Sequence, residues 1–282
     1  MASWRELLQG SGLARFDAQV LLLHVLQKNR AWLIAHDDEP ASEAEAQAFA
    51  TLAQRRRDGE PVAYLLGSRE FYGREFAVSP AVLIPRPDTE LLVELALARA
   101  PQGGAVLDLG TGSGCIPITL QLERSDLTVS AVDLSPDALA IARQNGQTLG
   151  AQVRWLESNW FSALGAEQFA LIVSNPPYIH AEDEHLHQGD LRFEPSGALT
   201  DGYDGLRHLQ SIIATAPAHL HAGAWLLLEH GWDQGAACRE LLQAAGFAEV
   251  HTWRDLGDND RVSGGRWWPA TDSPSPHLAS GG

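Results

Sequence analysis

Apolar positions recur close to every 3.6 residues through the first 57 positions. Trp4, Leu7 and Leu8 are followed by Phe16, Val20, Leu21, Leu23 and Leu26, and Ser42-Glu43-Ala44-Glu45 reads as a helix start ahead of Phe49 and Leu52. That period predicts a small helical bundle. Between Gly59 and Pro87 it gives way to short strand-like pieces at 63–67, 69–73 and 76–78 separated by turn residues, which predicts a hairpin and linker. A helix follows, opened by Pro85-Arg86-Pro87-Asp88-Thr89-Glu90 with Asp88 or Thr89 as its cap and an apolar stripe over 90–100.

From residue 105 onward, short aliphatic runs alternate with helical stripes. Strands are predicted at 105–109, 128–133, 153–156, 169–174, 224–229 and 248–254, and helices at 116–122, from 136 to Gly146 or Gly150, at 206–220 and at 235–245. Such alternation means an α/β domain with a parallel, doubly wound sheet. The predicted boundaries are 1–58 for the helical domain, 59–84 for the hairpin and linker, 85–268 for the α/β domain, and 269–282 for a Pro-, Ser- and Gly-rich tail expected to be disordered.

Composition narrows the setting. At 282 residues, 45% hydrophobic and 20% charged, the chain suits an ordinary soluble protein with one full core and a smaller domain. No run of apolar residues is long enough to span a bilayer, and the first residues lack the basic-then-apolar layout of an export signal. Cys115 and Cys238 form neither a disulfide framework nor a zinc pattern, so a reducing cytoplasm is expected. The net charge of −16 is unevenly spread: residues 1–100 carry 11 basic and 14 acidic side chains, the remainder 9 and 22. Free duplex nucleic acid is therefore a poor partner, and a basic protein or protein loop a better one. Arg55-Arg56-Arg57 reads as a solvated helix end, with partner contact as the alternative.

Three stretches carry candidate chemistry. Ala105-Val106-Leu107-Asp108-Leu109 runs into Gly110-Thr111-Gly112-Ser113-Gly114 and then a helix, a strand–turn–helix cradle in which glycines admit a ligand to the backbone and the helix start offers free N–H groups. Asp133 ends the next strand, 23 residues after Gly110, placed to accept both hydroxyls of a ribose. Together these point to an adenosine-containing cofactor. Asn159 and Trp160 follow the third strand of that domain, where Trp160 is either an adenine contact or a core aromatic. The third stretch, Asn175-Pro176-Pro177-Tyr178, closes the run 169–174. Each proline fixes φ and lacks an N–H, so the loop is rigid and its carbonyls have few local donors. Asn175 adds an acceptor oxygen, an arrangement that suits a planar group offering two N–H donors. The acidic segment 180–204 reads as a substrate loop. His185, His187 and Asp190 are expected to be solvated rather than metal ligands, and no metal is expected.

These segments, with Arg192-Phe193-Glu194-Pro195, Leu228-Glu229-His230-Gly231 and Asp258-Asn259-Asp260-Arg261, resemble those of the PrmC (HemK-type) glutamine N5-methyltransferases of class-1 peptide-chain release factors. The resemblance spans about 270 residues. It departs at Val262-Ser263-Gly264-Gly265-Arg266, where the family has Val-Thr-Leu-Gly-Arg, which bears only on the last strand. What it implies is a Rossmann-like S-adenosylmethionine-dependent methyltransferase sheet behind an N-terminal helical domain that binds the release factor. The implied reaction is methyl transfer to the side-chain amide nitrogen of the glutamine in a Gly-Gly-Gln loop, modulating translation termination. It further implies that Gly110, Thr111, Gly112, Ser113, Gly114, Asp133, Trp160 and Asn175 hold S-adenosylmethionine. Asn175, Pro176, Pro177 and Tyr178 would hold the substrate, with Asn175, Pro176 and Tyr178 catalytic. Asn-Pro-Pro-Tyr alone also fits enzymes that methylate amino groups of DNA or RNA adenine, which is the alternative reading. A binding protein that has lost turnover is the non-enzymatic one.

Overall fold

The computed structural model describes residues 2–269, so the predicted tail lies, apart from its first residue, outside the described residues. The first helices are α1 (Trp4–Gly10), α2 (Arg15–Leu26), α3 (Arg30–His36) and α4 (Glu43–Arg57). Ser3 with Glu6 and Ser42 with Glu45 form reciprocal capping boxes that satisfy the first N–H groups of α1 and α4. Leu21, Leu22, Leu33 and Phe49 close the bundle core.

Residues 63–67, expected as a strand, belong instead to helix α5 (Val62–Leu66). A short apolar run is ambiguous by pattern alone. Here Pro61 at the N-cap and the left-handed Gly67, at φ 73°, bound a single helical turn, and Ala63, Tyr64 and Leu65 are all buried. Strands β1 (Ser68–Phe71) and β2 (Arg74–Ala77) then form the expected hairpin. Phe71 and Phe76 from it pack into the α/β core. The segment Pro87–Thr89 is a 3-10 turn, and α6 (Glu90–Arg99) receives no side-chain cap from Asp88 or Thr89. The Thr89 hydroxyl is used elsewhere.

The α/β elements are β3 (Ala105–Leu109), α7 (Cys115–Glu123), β4 (Thr128–Asp133), α8 (Pro136–Leu149), β5 (Val153–Glu157), β6 (Phe169–Ser174), α9 (Arg207–Thr215), β7 (Leu220–Glu229), α10 (Gly235–Ala244), β8 (Ala248–Arg254) and β9 (Asp260–Arg266). The helix expected over 206–220 stops at Thr215 because Pro217 cannot donate its backbone hydrogen bond; a 3-10 turn, Ala216–His219, leads directly into β7. The sheet order is β5-β4-β3-β6-β7-β9-β8. It is not wholly parallel, as the alternation predicted, because β9 runs antiparallel to both β7 and β8. The cause is the short β8–β9 loop, which can only reverse the chain. Asp255 holds it, its Oδ1 accepting the N–H groups of Gly257 and Asn259.

Two apolar layers pack on the sheet, one around Leu107, Ile172, Leu226 and α9–α10, the other around Val106, Leu171, Val173 and α6–α7. Strand order reverses between β3 and β6, which opens a crevice at their carboxyl ends. Register fixes what stands there: Leu109 pairs with Val132 and with Ser174, and Ser174 pairs with Leu228. The residues one step further along are Gly110, Asp133, Asn175 and Glu229. They form one row along the edge of the sheet.

Candidate active site

A cleft of about 460 Å³ opens above that row, lined by Gly110 to Ser113, Asp133, Trp160, Asn175 and Pro177 among others. Gly110, Gly112 and Gly114 have φ of 74°, 54° and 80°, the left-handed region in which a side chain is strained. At Gly114, the N-cap of α7, an added Cβ would press on Ile118, Ala142 and Trp155 at 3.0–3.1 Å. Gly114 therefore serves helix packing and does not itself line the cleft. Beyond the position of a Cβ on Gly112, by contrast, there is open space.

Asp133 stands where the sequence placed it, at the tip of β4. Its Oδ2 accepts the Gly112 N–H at 2.8 Å and its Oδ1 the Ser135 N–H at 2.9 Å, so the carboxylate braces the glycine turn and the start of α8 together. Each oxygen keeps a second lone-pair site for a ligand. Thr111 also lines the cleft, and its buried hydroxyl has no hydrogen-bond partner. It faces the buried Asp108 carboxyl, whose ionised form it favours.

Trp160 belongs both to the core and to the cleft wall. Its ring packs against the main hydrophobic core and lies 3.3 Å from where a Cβ on Gly110 would sit, and it also walls the cleft beside Asn159. The backbone there is left-handed, φ 50°, and is held by the Ser158 hydroxyl donating to the Trp160 carbonyl at 2.8 Å.

The Asn-Pro-Pro-Tyr segment divides in two. Asn175 and Pro177 line the cleft, whereas Pro176 and Tyr178 do not. Pro176 is buried, and no backbone or side-chain donor of the described residues reaches its carbonyl. Asn175 donates from Nδ2 to the Thr89 hydroxyl at 3.3 Å, which leaves Oδ1 as its open end. Tyr178, expected against the substrate, sends its hydroxyl to Glu229 Oε1 at 3.4 Å, while its carbonyl accepts from Gln234 Nε2 at 2.9 Å.

Several contributors were not assigned a role from sequence. Thr89, Glu229 and Arg261 meet behind Asn175, Arg261 lying 3.4 Å from Asp88 and 3.0 Å from Asp255. Loop 180–204 supplies Pro195, Gly197, Ala198 and Thr200 to the cleft wall. Its Glu194, with the side chain fully buried, accepts from the Ile84 N–H at 3.0 Å and pairs with Arg86. Arg192 donates to the Asp58 carbonyl at 2.7 Å, and Asp190 pairs with Arg56 at 2.8 Å. Arg56 also pairs with Asp17, Arg55 with Glu60, and Arg57 donates to the Ser11 carbonyl. The arginine run is thus neither a bare solvated end nor a free patch. His185 pairs with Asp183, and no cluster that could hold a metal ion occurs among the described residues.

Burial pushes the carboxyls of Asp108 and Glu229 up to about 7; the Asp133 charge adds to the first effect, while Thr89 and Arg261 only partly oppose the second. Neither Asp108 oxygen has a partner. Both groups remain neutral in the folded chain at a pH where, unfolded, they ionise near pH 4. Their contribution to stability is therefore full below about pH 4 and lost as pH rises towards 7. The melting temperature of the ligand-free protein is expected to fall between about pH 5 and about pH 8, and to fall less steeply in Asp108→Asn. Parallel melting curves for the two across that range would refute the assignment.

Comparison with known proteins bears on this geometry. The PrmC N-terminal domain family matches residues 1–67, and the methyltransferase small domain family matches residues 87–193. The release factor glutamine methyltransferase of Bordetella pertussis is 54% identical over 269 residues, covering 94% of this chain and 99% of that protein. That of Escherichia coli is 49% identical over 263 residues, covering 93% and 95%. Among solved structures, a methyltransferase from Pyrococcus furiosus superposes with a TM-score of 0.55 at 15% identity, covering 78% of this chain and all of that one. A Thermus thermophilus 16S rRNA N2 G1207 methyltransferase in complex with AdoMet and guanosine gives 0.52 at 23% identity, covering 71% and 49%. At such identities these structures support the fold alone.

Proposed function

The chain belongs to the release factor glutamine methyltransferase family, and from that premise we propose how its own residues carry the reaction. It is an S-adenosylmethionine-dependent enzyme that methylates a release-factor glutamine. The substrate is the side-chain amide of the Gly-Gly-Gln glutamine in class-1 release factors. The observation that carries this reading is the Asn175 acceptor oxygen at the cleft wall, with the Pro176 carbonyl next to it in the chain reached by no donor of the described residues.

S-adenosylmethionine, when bound, supplies an electrophilic methyl group on a sulfonium. The cleft suits it through the spare lone pairs of Asp133, the open face of Gly112, the Thr111 backbone beside it and the flat ring of Trp160. These are the residues that would hold it.

A carboxamide nitrogen is a weak nucleophile because its lone pair is delocalised into the carbonyl. Asn175 Oδ1 and the Pro176 carbonyl, accepting one N–H each, draw both protons to one side and favour a pyramidal nitrogen whose lone pair faces the cleft. The prolines keep those two acceptors from drifting apart, since their φ angles are fixed. Alignment of this kind can lower a barrier by roughly 7–11 kcal/mol. Transfer would break the carbon–sulfur bond to leave a neutral thioether, and the amide nitrogen, once bonded to the methyl carbon, would release one of its two protons to solvent. Tyr178 and Gln234 seat the segment from behind. The acidity of residues 101–282 suits a basic substrate loop.

Incubation with labelled cofactor and a class-1 release factor, followed by peptide mass mapping, tests the reading. One methyl group on the glutamine of Gly-Gly-Gln is expected. A methyl on any other side chain, or transfer to DNA in place of the protein, would overturn it.

A further inference from the structure

We infer that Gln234 is a positioning residue that clamps the far end of the substrate segment, with Gly205 as the seat that lets the clamp close. The inference rests on Asn175 and the Pro176 carbonyl gripping the substrate amide, as proposed above.

The prolines stiffen Asn175-Pro176-Pro177-Tyr178 only in part. Each fixes φ but leaves ψ free, and neither has an N–H with which to tie itself to a neighbour. The segment is therefore a lever, and where its two acceptors point depends on how both ends are held. The near end continues from β6, whose Ser174 pairs with Leu109 and Leu228 and donates its hydroxyl to the Leu109 carbonyl at 2.7 Å. At the far end, the Tyr178 carbonyl accepts from Gln234 Nε2 at 2.9 Å.

Gln234 precedes α10 and uses both ends of its amide. Its Oε1 accepts the Gly231 N–H at 2.9 Å, and its Nε2 also reaches the Gly205 carbonyl at 3.5 Å. A main-chain N–H can only donate and a carbonyl can only accept, so the amide fits one way round. Gly231 is itself held by the fully buried His230, whose Nδ1 lies 2.8 Å from the Gly231 carbonyl and whose Nε2 lies 2.7 Å from the Ser263 hydroxyl of β9. The clamp is thus anchored on the sheet.

Loop 180–204 returns to the segment it leaves. The Ile179 N–H donates to the Leu199 carbonyl at 2.9 Å and the Ala181 N–H to the Tyr203 carbonyl at 2.8 Å, while the Asp201 carboxylate accepts the N–H groups of Tyr203, Gly205 and Arg207. That turn carries Gly205, at φ 78°, so close that a Cβ would stand 2.2 Å from the Tyr178 carbonyl oxygen and 2.9 Å from Gln234 Nε2. Gly202, in the same turn and at φ 76°, would present its Cβ to nothing within 4 Å. Backbone strain is shared by the two glycines, but only Gly205 touches the clamp.

The test uses Gln234→Glu, Gln234→Met, Gly205→Ala and Gly202→Ala in the full chain. Gln234→Glu keeps an acceptor for Gly231 and has no donor for Tyr178, whereas Gln234→Met removes both. Cofactor affinity is read by calorimetric titration, and methylation of an intact class-1 release factor is followed at saturation. Both Gln234 variants and Gly205→Ala are expected to lower kcat about tenfold or more, since a shift of about 1 Å in an aligned group can cost up to about 10²-fold. Cofactor affinity and KM for the release factor should be unchanged, because cleft-wall residues 195–200 are held separately by Glu194 and Leu199. Gly202→Ala should keep the wild-type kcat. Should Gln234→Met fail to fold, Gln234→Glu and the two glycine variants still decide the matter. Full kcat in folded Gln234→Glu or Gly205→Ala, equal losses in Gly205→Ala and Gly202→Ala, or losses confined to cofactor affinity would each overturn the inference. If the Gln234 variants keep their rate while Asn175→Ala loses it, only the positioning role fails. If Asn175→Ala also keeps its rate, the reading of the site itself fails.

Discussion

Asn175→Ala is expected to abolish nearly all turnover, by about 10²–10³-fold or more, while the chain folds and still binds its cofactor. The magnitude is that of removing one preorganised polar group aimed at the reacting atom. Among the described residues the side chain makes one hydrogen bond, to a threonine, so its removal costs the fold on the order of 1 kcal/mol. The strand before it, β6, is held by pairing with β3 and β7 and by buried Leu171, Ile172 and Val173, none of which depends on the asparagine. What is lost is the acceptor that orients the substrate nitrogen. Rate constants from single-turnover methylation, beside calorimetric cofactor affinity, separate the two effects. A wild-type rate would remove Asn175 from the mechanism.

Asp133→Ala is expected to weaken cofactor binding by at least about 10²-fold. The carboxylate accepts the N–H groups of Gly112 and Ser135, and charge-assisted bonds of this kind contribute roughly 1.5–3 kcal/mol each. Removing it loosens the glycine turn from the start of α8 before any ligand is considered, and then takes away the acceptor for two ribose hydroxyls. Asp133→Asn separates the contributions. An amide retains one acceptor oxygen, so the turn keeps part of its bracing while the charge is lost, and affinity should fall between the two extremes. Titration calorimetry measures it directly. Equal affinities for wild type and Asp133→Ala would remove the ribose assignment.

The parts of the site that could be read from sequence are those built from neighbours in the chain. A strand, a glycine turn and a helix follow one another over 105–123, and Asn175 stands next to the two prolines that stiffen it. Gly110, Asp133 and Asn175 fall on one edge because their strands are consecutive or adjacent at the switch point. Contacts across long separations left no local signal. Thr89 lies 86 residues from Asn175, Arg86 is 108 from Glu194, and Arg56 is 134 from Asp190. Thr89, Glu229 and Arg261 come from three segments far apart in the chain, so nothing local marks their convergence near one asparagine. The orientation of β9 was hidden for a different reason. The periodicity of a strand is the same in either direction, and only the shortness of the β8–β9 loop gives the direction away. The helix at Val62–Leu66 was lost because five apolar residues satisfy both periods.

Loop 180–204 is fastened to the helical domain by Asp190 and Arg192, to the linker by Glu194, and contributes four residues to the cleft wall. The consequence concerns dissection of the molecule. A fragment beginning after the helical domain would retain every glycine of the turn and all of Asn-Pro-Pro-Tyr, yet one rim of its cofactor pocket would have lost its moorings. Severing the two halves is therefore not a way to isolate the catalytic apparatus, because the bundle also moors the wall that lines the cleft.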